Sequence, residues 1–161
     1  MEKDSLPPSA FVKRSRCLDS AFRILSRRDH TRNELQVKLR HKGFDAAAIE
    51  SALARCNELG YIDDSKTAMS LAGQLVDKGY GPLRVRHTLM QKGLDGALIE
   101  EALGHCGDET AQEQNARRML VKKALRLNRE ADPLRRRRIA YRFLAGRGFP
   151  PAVISRALAD D

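Results

Sequence analysis

The sequence predicts an all-α protein made of three tandem three-helix repeats, helix-turn-helix-like units that form an elongated, curved array without strands. One short frame occurs three times, at Leu39–Leu53, Leu89–Leu103 and Leu144–Leu158. Its intervals of about 50 and 55 residues are typical of repeat architectures. No segment shows the sustained period-two alternation of apolar and polar residues that indicates a strand.

Each frame is centred on a glycine that we expect to form a structural turn: Gly43, Gly93 and Gly148. A Lys or Arg precedes each of them, and a Phe or Leu follows. A glycine in this setting favours the left-handed position just past a helix end, where a side chain would clash. The preceding cation, Lys42, Lys92 or Arg147, also suits the negative end of the helix dipole.

In chain order, we predict a flexible N-terminal tail at 1–16 and three-helix repeats at 17–60, 61–107 and 108–161. The tail is predicted from its polar composition and its paired prolines. The first helix of the first repeat runs from about Leu18 to Arg28, with Leu18, Phe22 and Leu25 facing inward. Thr31 and Glu34 form a capping box that starts the second helix.

The remaining helices begin at recognisable signals, either a short polar side chain that caps a helix or a proline that fits its first turn. Asp45 caps the third helix, and Asp63, Asp64 or Ser65 caps the fourth. The expected helices then run from about Asp45 to Leu59, Ser65 to Lys78, Pro82 to Lys92, Asp95 to Cys106, Glu109 to Leu127, Pro133 to Ala145 and Pro151 to Ala159.

Composition limits the class of protein. The chain has 161 residues and a formal net charge of +9, with 42% hydrophobic and 32% charged residues. No apolar run reaches the length of a membrane span, and the N-terminus has no apolar stretch of a signal peptide. Three cysteines without a Cys-x-x-Cys pair favour a reducing, cytoplasmic location, with Cys56 and Cys106 as small core residues. We expect a monomer.

The excess of Lys and Arg over Asp and Glu favours a polyanionic partner, most often nucleic acid. The middle helix of each repeat is rich in Lys and Arg, whereas the third helix is acidic, so we expect a basic stripe and a separate acidic face. Some of these cations are instead expected to be ordinary solvated positions. Ile139 and Phe143 are expected to mark the buried side of the eighth helix. The candidate residues for binding nucleic acid are Arg32, Lys38, Arg40, Arg84, Arg86, Arg135, Arg138 and Arg142.

No catalytic constellation is visible. The sequence lacks a P-loop, a dinucleotide-binding glycine turn, a zinc-protease pattern and a nucleophile elbow. The four histidines are scattered, and the Asp63-Asp64 pair suits helix capping better than metal binding. We therefore expect no enzyme activity, no cofactor and no metal.

Three ordered motifs resemble those of the RecX family: Leu25–Leu35, Gly60–Asp64, and Lys78–Arg86 continuing through Lys92–Leu94. Arg147–Phe149 of the last repeat also fits the family. The resemblance implies a negative regulator of RecA that binds in the groove of the RecA–single-stranded DNA filament. It also implies restraint of filament growth, ATPase, strand exchange and co-protease activity. The partners would be RecA and single-stranded DNA, with double-stranded DNA as a further target. After the Asp pair, Ser65–Ala68 departs from the family's usual sequence, so an aromatic anchor is missing there.

Two alternatives from the residues alone stay open. One is a stand-alone DNA-binding protein that uses the basic helices of its helix-turn-helix-like units. The other is a helical scaffold for an acidic protein.

Overall fold

The computed structural model describes residues 8–159, and within them it contains nine α-helices and no strand. The predicted all-α repeat fold is confirmed. The helices are α1 Pro8–Leu25, α2 Arg32–His41, α3 Ala46–Glu58, α4 Asp64–Asp77, α5 Pro82–Gln91, α6 Gly96–Gly104, α7 Glu109–Leu127, α8 Pro133–Gly146 and α9 Pro151–Ala157.

The predicted flexible tail is wrong for residues 8–16, because α1 begins at Pro8. Residues 1–7 lie outside the described part of the chain. Proline suits a first helical turn, and the lysine and arginines that follow are good helix formers. Cys17 and Ala21 are fully buried and anchor the C-terminal half of α1. Extending a nucleated helix costs little, so the polar N-terminal half stays helical.

The chain packs as two compact units, and the first holds the residues up to Thr67 together with Lys92–Leu94. Its core forms where Leu35 and Leu39 of α2 meet Leu53 and Cys56 of α3. Helix α1 contributes small residues to this core. The expected inward residues Leu18, Phe22 and Leu25 are only partly buried and pack around it. Division into three repeats at residues 60 and 107 stays a prediction.

The second unit holds Ala68–Gln91 and the chain from Asp95 onward. Helices α7, α8 and α9 share one core, in which Leu144, Phe149 and Ile154 are almost completely buried. The expected buried side of α8 needs a correction, because Ile139 is 40% exposed. Ala140 and Leu144 face the core instead, with Phe143 partly buried beside them. Cys106, an expected core residue, is also only partly buried.

Helix starts follow the expected local chemistry. Thr31 and Glu34 make both hydrogen bonds of the capping box. The side chains of Asp45, Asp95 and Asp132 each accept a backbone N–H bond from their own helix's first turn. Asp63 accepts the Lys66 N–H at 2.9 Å. These caps depend only on residues within one turn, which is why sequence predicts them.

Gly43, Gly93 and Gly148 all adopt left-handed backbone conformations, with φ of 83°, 71° and 84°. In the first unit, the turn at Gly93 lies against the start of α2. The Thr31 hydroxyl donates a hydrogen bond to the Lys92 carbonyl at 2.7 Å, and the Lys92 ammonium pairs with Glu34. A turn of the second repeat is thus joined to a helix start of the first.

Glu34 is the charged centre of this joint. Burial alone would raise its pKa, but hydrogen bonds from Arg28, Lys92 and the Thr31 N–H lower the pKa of Glu34 to about 2. One carboxylate therefore caps α2 and holds two cations.

The second unit repeats the joint with different chemistry. The Gly81 N–H donates to the Arg147 carbonyl at 2.8 Å, and the Leu83 N–H donates to the Gly148 carbonyl at 3.0 Å. A Cβ on Gly81 would lie 2.4 Å from the Gly148 oxygen. The Arg147 side chain donates to the carbonyls of Lys78 and Gly79 at 2.9 and 3.1 Å. The cation before the turn therefore caps a helix end of the preceding repeat.

We expect Gly81→Ala to destabilise the second unit by about 2 kcal/mol, because backbone atoms must move to admit the methyl group. Gly73→Ala, in open space within α4, should instead stabilise by up to about 1 kcal/mol through helix propensity. Chemical unfolding followed by circular dichroism measures both. Equal effects of the two changes would contradict the close approach at Gly81.

Glu34→Gln keeps the capping geometry but removes the charge, so it should lower the free energy of unfolding at pH 7 by about 3 kcal/mol. Because the pKa of Glu34 is lower in the folded protein, its charge stabilises the fold when the pH is above the ordinary pKa of 4.5. This contribution is lost as the pH falls toward 2. The difference from the native protein should therefore shrink below pH 4.5 and vanish near pH 2. The control Glu58→Gln, in an exposed pair with Arg55, should cost less than about 1 kcal/mol at any pH.

Candidate nucleic-acid interface

Four cations follow one side of α1 and the turn after it: Lys13, Arg16, Arg23 and Arg27. Their spacings of three, seven and four residues place them on the same helical face. From Lys13 to the helix end this face is about 18 Å long. All four side chains are exposed, so they form a regular row of positive charge at the surface.

This row borders a cleft of about 610 Å³ between α1 and α2. A second cleft adjoins it through their shared residue Lys42 and is lined by Lys13 and Arg16. We call the two together the basic cleft. Its cationic lining consists of Lys13, Arg16, Arg23, Arg27, Arg28, Lys38 and Lys42, with His30 and His41 beside them.

His30 positions one of these cations. It is 2% exposed, and this burial lowers the pKa of His30. The positive charges of Arg28 and Lys38 lower the pKa further, so the ring is neutral at pH 7. Nδ1 lies 2.8 Å from the Arg28 carbonyl and must carry the proton, because a carbonyl only accepts. Nε2 is then an acceptor for the Lys38 ammonium at 2.9 Å. The remaining N–H donors of Lys38 stay available for a ligand.

Few acids neutralise the cleft. Arg28 is paired with Glu34 at 3.1 Å, and Asp45 at the cleft edge accepts the Ala48 N–H. Arg23 and Arg27 form no ion pair among residues 8–159. A row of exposed, unpaired guanidinium groups is suited to phosphate oxygens.

Two predicted site residues are paired across helices. Arg32 of α2 contacts Glu50 of α3 at 2.5 Å, and Arg86 of α5 forms a two-pronged pair with Glu100 of α6, with one contact at 3.0 Å. The expected separation of basic middle helices from acidic third helices therefore does not hold at these positions. Both cations contact the neighbouring helix while staying partly exposed.

The arginines of α8 differ in where their side chains lie. Arg135, Arg138 and Arg142 are exposed, and Arg135 lies 3.7 Å from the Asp132 cap. Arg137 donates to the Leu158 carbonyl at 2.9 Å, and the Nε of Arg136 is buried. The first three side chains are thus exposed to solvent, whereas Arg136 and Arg137 lie along the groove between α7 and α8.

The other predicted residues have separate settings. Lys38 lines the basic cleft, and Arg40 is exposed one residue before the end of α2. Arg84 lies over the Tyr80 ring, with its guanidinium carbon 5.9 Å from the ring centre. The binding role of all eight predicted residues stays a prediction.

Sequence reasoning missed Lys13, Arg16, Arg23 and Arg27. It counted charge only on the middle and third helices and treated residues 1–16 as a tail. The signal was nonetheless present, since these cations recur at helical spacing. Within the described residues, no cluster of His, Cys, Asp and Glu could hold a metal, and no helix could cross a membrane.

Comparison with known proteins covers nearly the whole chain. Residues 17–56, 63–103 and 111–158 match the domains described as the first, second and third three-helix domains of RecX. A protein named "Regulatory protein RecX" from Deinococcus radiodurans is 38% identical over 96% of this chain and 72% of its own length. The protein of the same name from Vibrio vulnificus is 48% identical over 45% of this chain. That match spans about half the length of the Vibrio protein.

Solved structures share the fold. The crystal structure of RecX from Lactobacillus salivarius superimposes with a TM-score of 0.82 at 22% identity, covering 92% of this chain and 96% of that one. Another structure, titled "Crystal structure of regulatory protein RecX", matches with the same score at 21% identity over 100% of this chain and 81% of its own.

The double change Arg23→Ala/Arg27→Ala should weaken binding to a single-stranded oligonucleotide. Each lost phosphate contact should reduce the slope of log K against log salt by about 0.7. Fluorescence anisotropy across a salt series measures this slope. Arg55→Ala, an exposed cation of α3 paired with Glu58, is the control and should leave the slope unchanged; a fall of similar size there would rule out the cleft as the specific site.

Proposed function

Since the chain belongs to the RecX family, we propose that it is a non-enzymatic negative regulator of RecA. It binds the RecA–single-stranded DNA filament in its groove and restrains filament growth, ATPase, strand exchange and co-protease activity. The observation that carries this proposal is the match of all three RecX domains in order along one chain. The basic cleft supplies a surface of the required charge.

The cleft fits the DNA component of such a filament. Phosphate contacts position a protein without reading bases, so a regulator that acts along any DNA sequence needs cations more than base-specific groups. Lys38, held by His30, and the unpaired Arg23 and Arg27 provide them. Proteins that bind single-stranded nucleic acid through base stacking need exposed aromatic side chains. Among the described residues that line the cleft, Phe44 is the one Phe, Tyr or Trp side chain, and it is half-buried.

The outward arginines of α8 provide a further charged surface on the second unit. Arg135, Arg138 and Arg142 share one helical face and are exposed. In this proposal they contact DNA phosphates or acidic side chains of RecA. ATP hydrolysis is the reaction of RecA itself, and this chain changes its rate by binding.

The purified protein should lower the single-stranded-DNA-dependent ATPase of RecA when added below one copy per RecA subunit. Arg23→Ala/Arg27→Ala should raise the concentration needed for half-inhibition by at least tenfold, whereas Arg55→Ala should leave it unchanged. A coupled ATPase assay, with strand exchange as a second readout, measures both. No inhibition by the native protein over a wide range of ratios would disprove the proposal.

A stand-alone DNA-binding function is the second candidate, and the basic cleft is the observation that favours it. It predicts equally tight binding to naked DNA and to the filament, with the same steep salt dependence. The regulator proposed here should instead bind the filament at least tenfold more tightly than naked single-stranded DNA at the same salt concentration.

A further inference from the structure

An apolar groove in the second unit has no role in the basic surfaces described above. It has a volume of about 440 Å³ and lies between α7 and α8. Its apolar lining includes Leu120, Val121, Leu127, Pro133, Leu134 and Ala140. A groove of this volume is large enough to hold the side chains of a bound ligand.

The apolar surface continues outside the groove. Val121 and Leu125, one turn apart on α7, are 74% and 88% exposed, and Leu134 at the start of α8 is 69% exposed. Leaving three large apolar side chains in water is unfavourable, and such patches mark interaction sites. The patch extends along a helix, which suits an elongated protein segment more than a compact small molecule.

An extra turn of α8 builds one wall of this groove. Helices α2 and α5 have 10 residues each, whereas α8 has 14 and ends at an equivalent glycine turn. The added residues are 133–136, which include Leu134. A glycine turn packs against the start of each of the other two helices. The turn that contains Lys92 contacts the start of α2, and the turn that contains Gly148 contacts the start of α5. The start of α8 presents an exposed leucine instead.

The rim of the groove is basic. Arg136 and Arg137 line it, and the stretch of α7 beside it carries Lys122 and Arg126. No acidic residue occurs between Glu113 and Glu130. The Nε of Arg136 is buried and has no hydrogen-bond partner among the described residues. Charge complementarity therefore selects an acidic occupant, whose carboxylates would meet these guanidinium groups.

We propose that this groove docks an amphipathic, acidic segment of the protein subunit of the filament, with apolar side chains between α7 and α8 and carboxylates on the rim. The inference rests on the proposed function and deepens it, because it assigns one surface to the protein and leaves the basic cleft to DNA. Docking of this kind does not require DNA.

Two leucines allow a matched test. Leu134 and Leu83 are each the second residue of a Pro-Leu-Arg helix start, and both are exposed, at 69% and 51%. Leu134→Glu should weaken binding to DNA-free RecA at least tenfold, because it places a charge in the groove and repels an acidic segment. Leu83→Glu should change binding less than twofold, and Leu134→Met should retain it. Biolayer interferometry with immobilised RecA measures the affinities, and circular dichroism checks the fold.

The outcomes separate the two proposals. If Leu134→Glu binds DNA-free RecA as well as the native protein does, or if the native protein binds the filament but not free RecA, the groove assignment is overturned while the regulator proposal stands. If the native protein binds neither free RecA nor the filament, the proposed function fails. Single-stranded DNA binding by Leu134→Glu should equal that of the native protein.

Discussion

The contact between a glycine turn and the start of a preceding helix organises both units of this protein. At Gly81 and Gly148 two backbones approach so closely that a single methyl group would lie 2.4 Å from a carbonyl oxygen. At Thr31 and Lys92 a hydroxyl and an ion pair with Glu34 make the equivalent contact. In each case the first turn of a helix, whose N–H groups or cap need partners, is completed by another repeat. The groups that start a helix therefore also form contacts between segments that are distant in sequence.

The same joint accounts for part of the positive charge. Lys92 and Arg147 precede their glycines like free surface cations in the sequence, yet Lys92 binds Glu34 and Arg147 binds two carbonyl oxygens. Arg32 and Arg86 are partly neutralised by Glu50 and Glu100. The charge that remains free in the first unit lies along α1 and at the end of α2. These cations border a cleft between α1 and α2, in which His30 accepts a hydrogen bond from Lys38.

The two open surfaces differ in chemistry and in what they suit. The basic cleft offers guanidinium and ammonium groups around a polar space, which matches a phosphate backbone. The α7–α8 groove offers apolar side chains with a basic rim, which matches a protein segment better than DNA. In the proposed function both surfaces are used, because the DNA and the protein of the filament then contribute to affinity separately. The predicted stripe of middle-helix cations becomes, in part, a set of ion pairs between helices.

The sequence by itself determined the helices, their starts and the glycine turns, since capping boxes, prolines and left-handed glycines act within about one turn. It also identified the family through ordered local motifs. It misjudged α1, whose polar first half is stabilised by the buried Cys17 and Ala21 further along, and it chose Ile139 over Ala140 for the α8 core. Only the tertiary structure decided that Arg32 pairs with Glu50, because helix packing and not spacing along the chain brings these two residues together. The cleft and the groove likewise exist only between helices, so no single-helix pattern could define them.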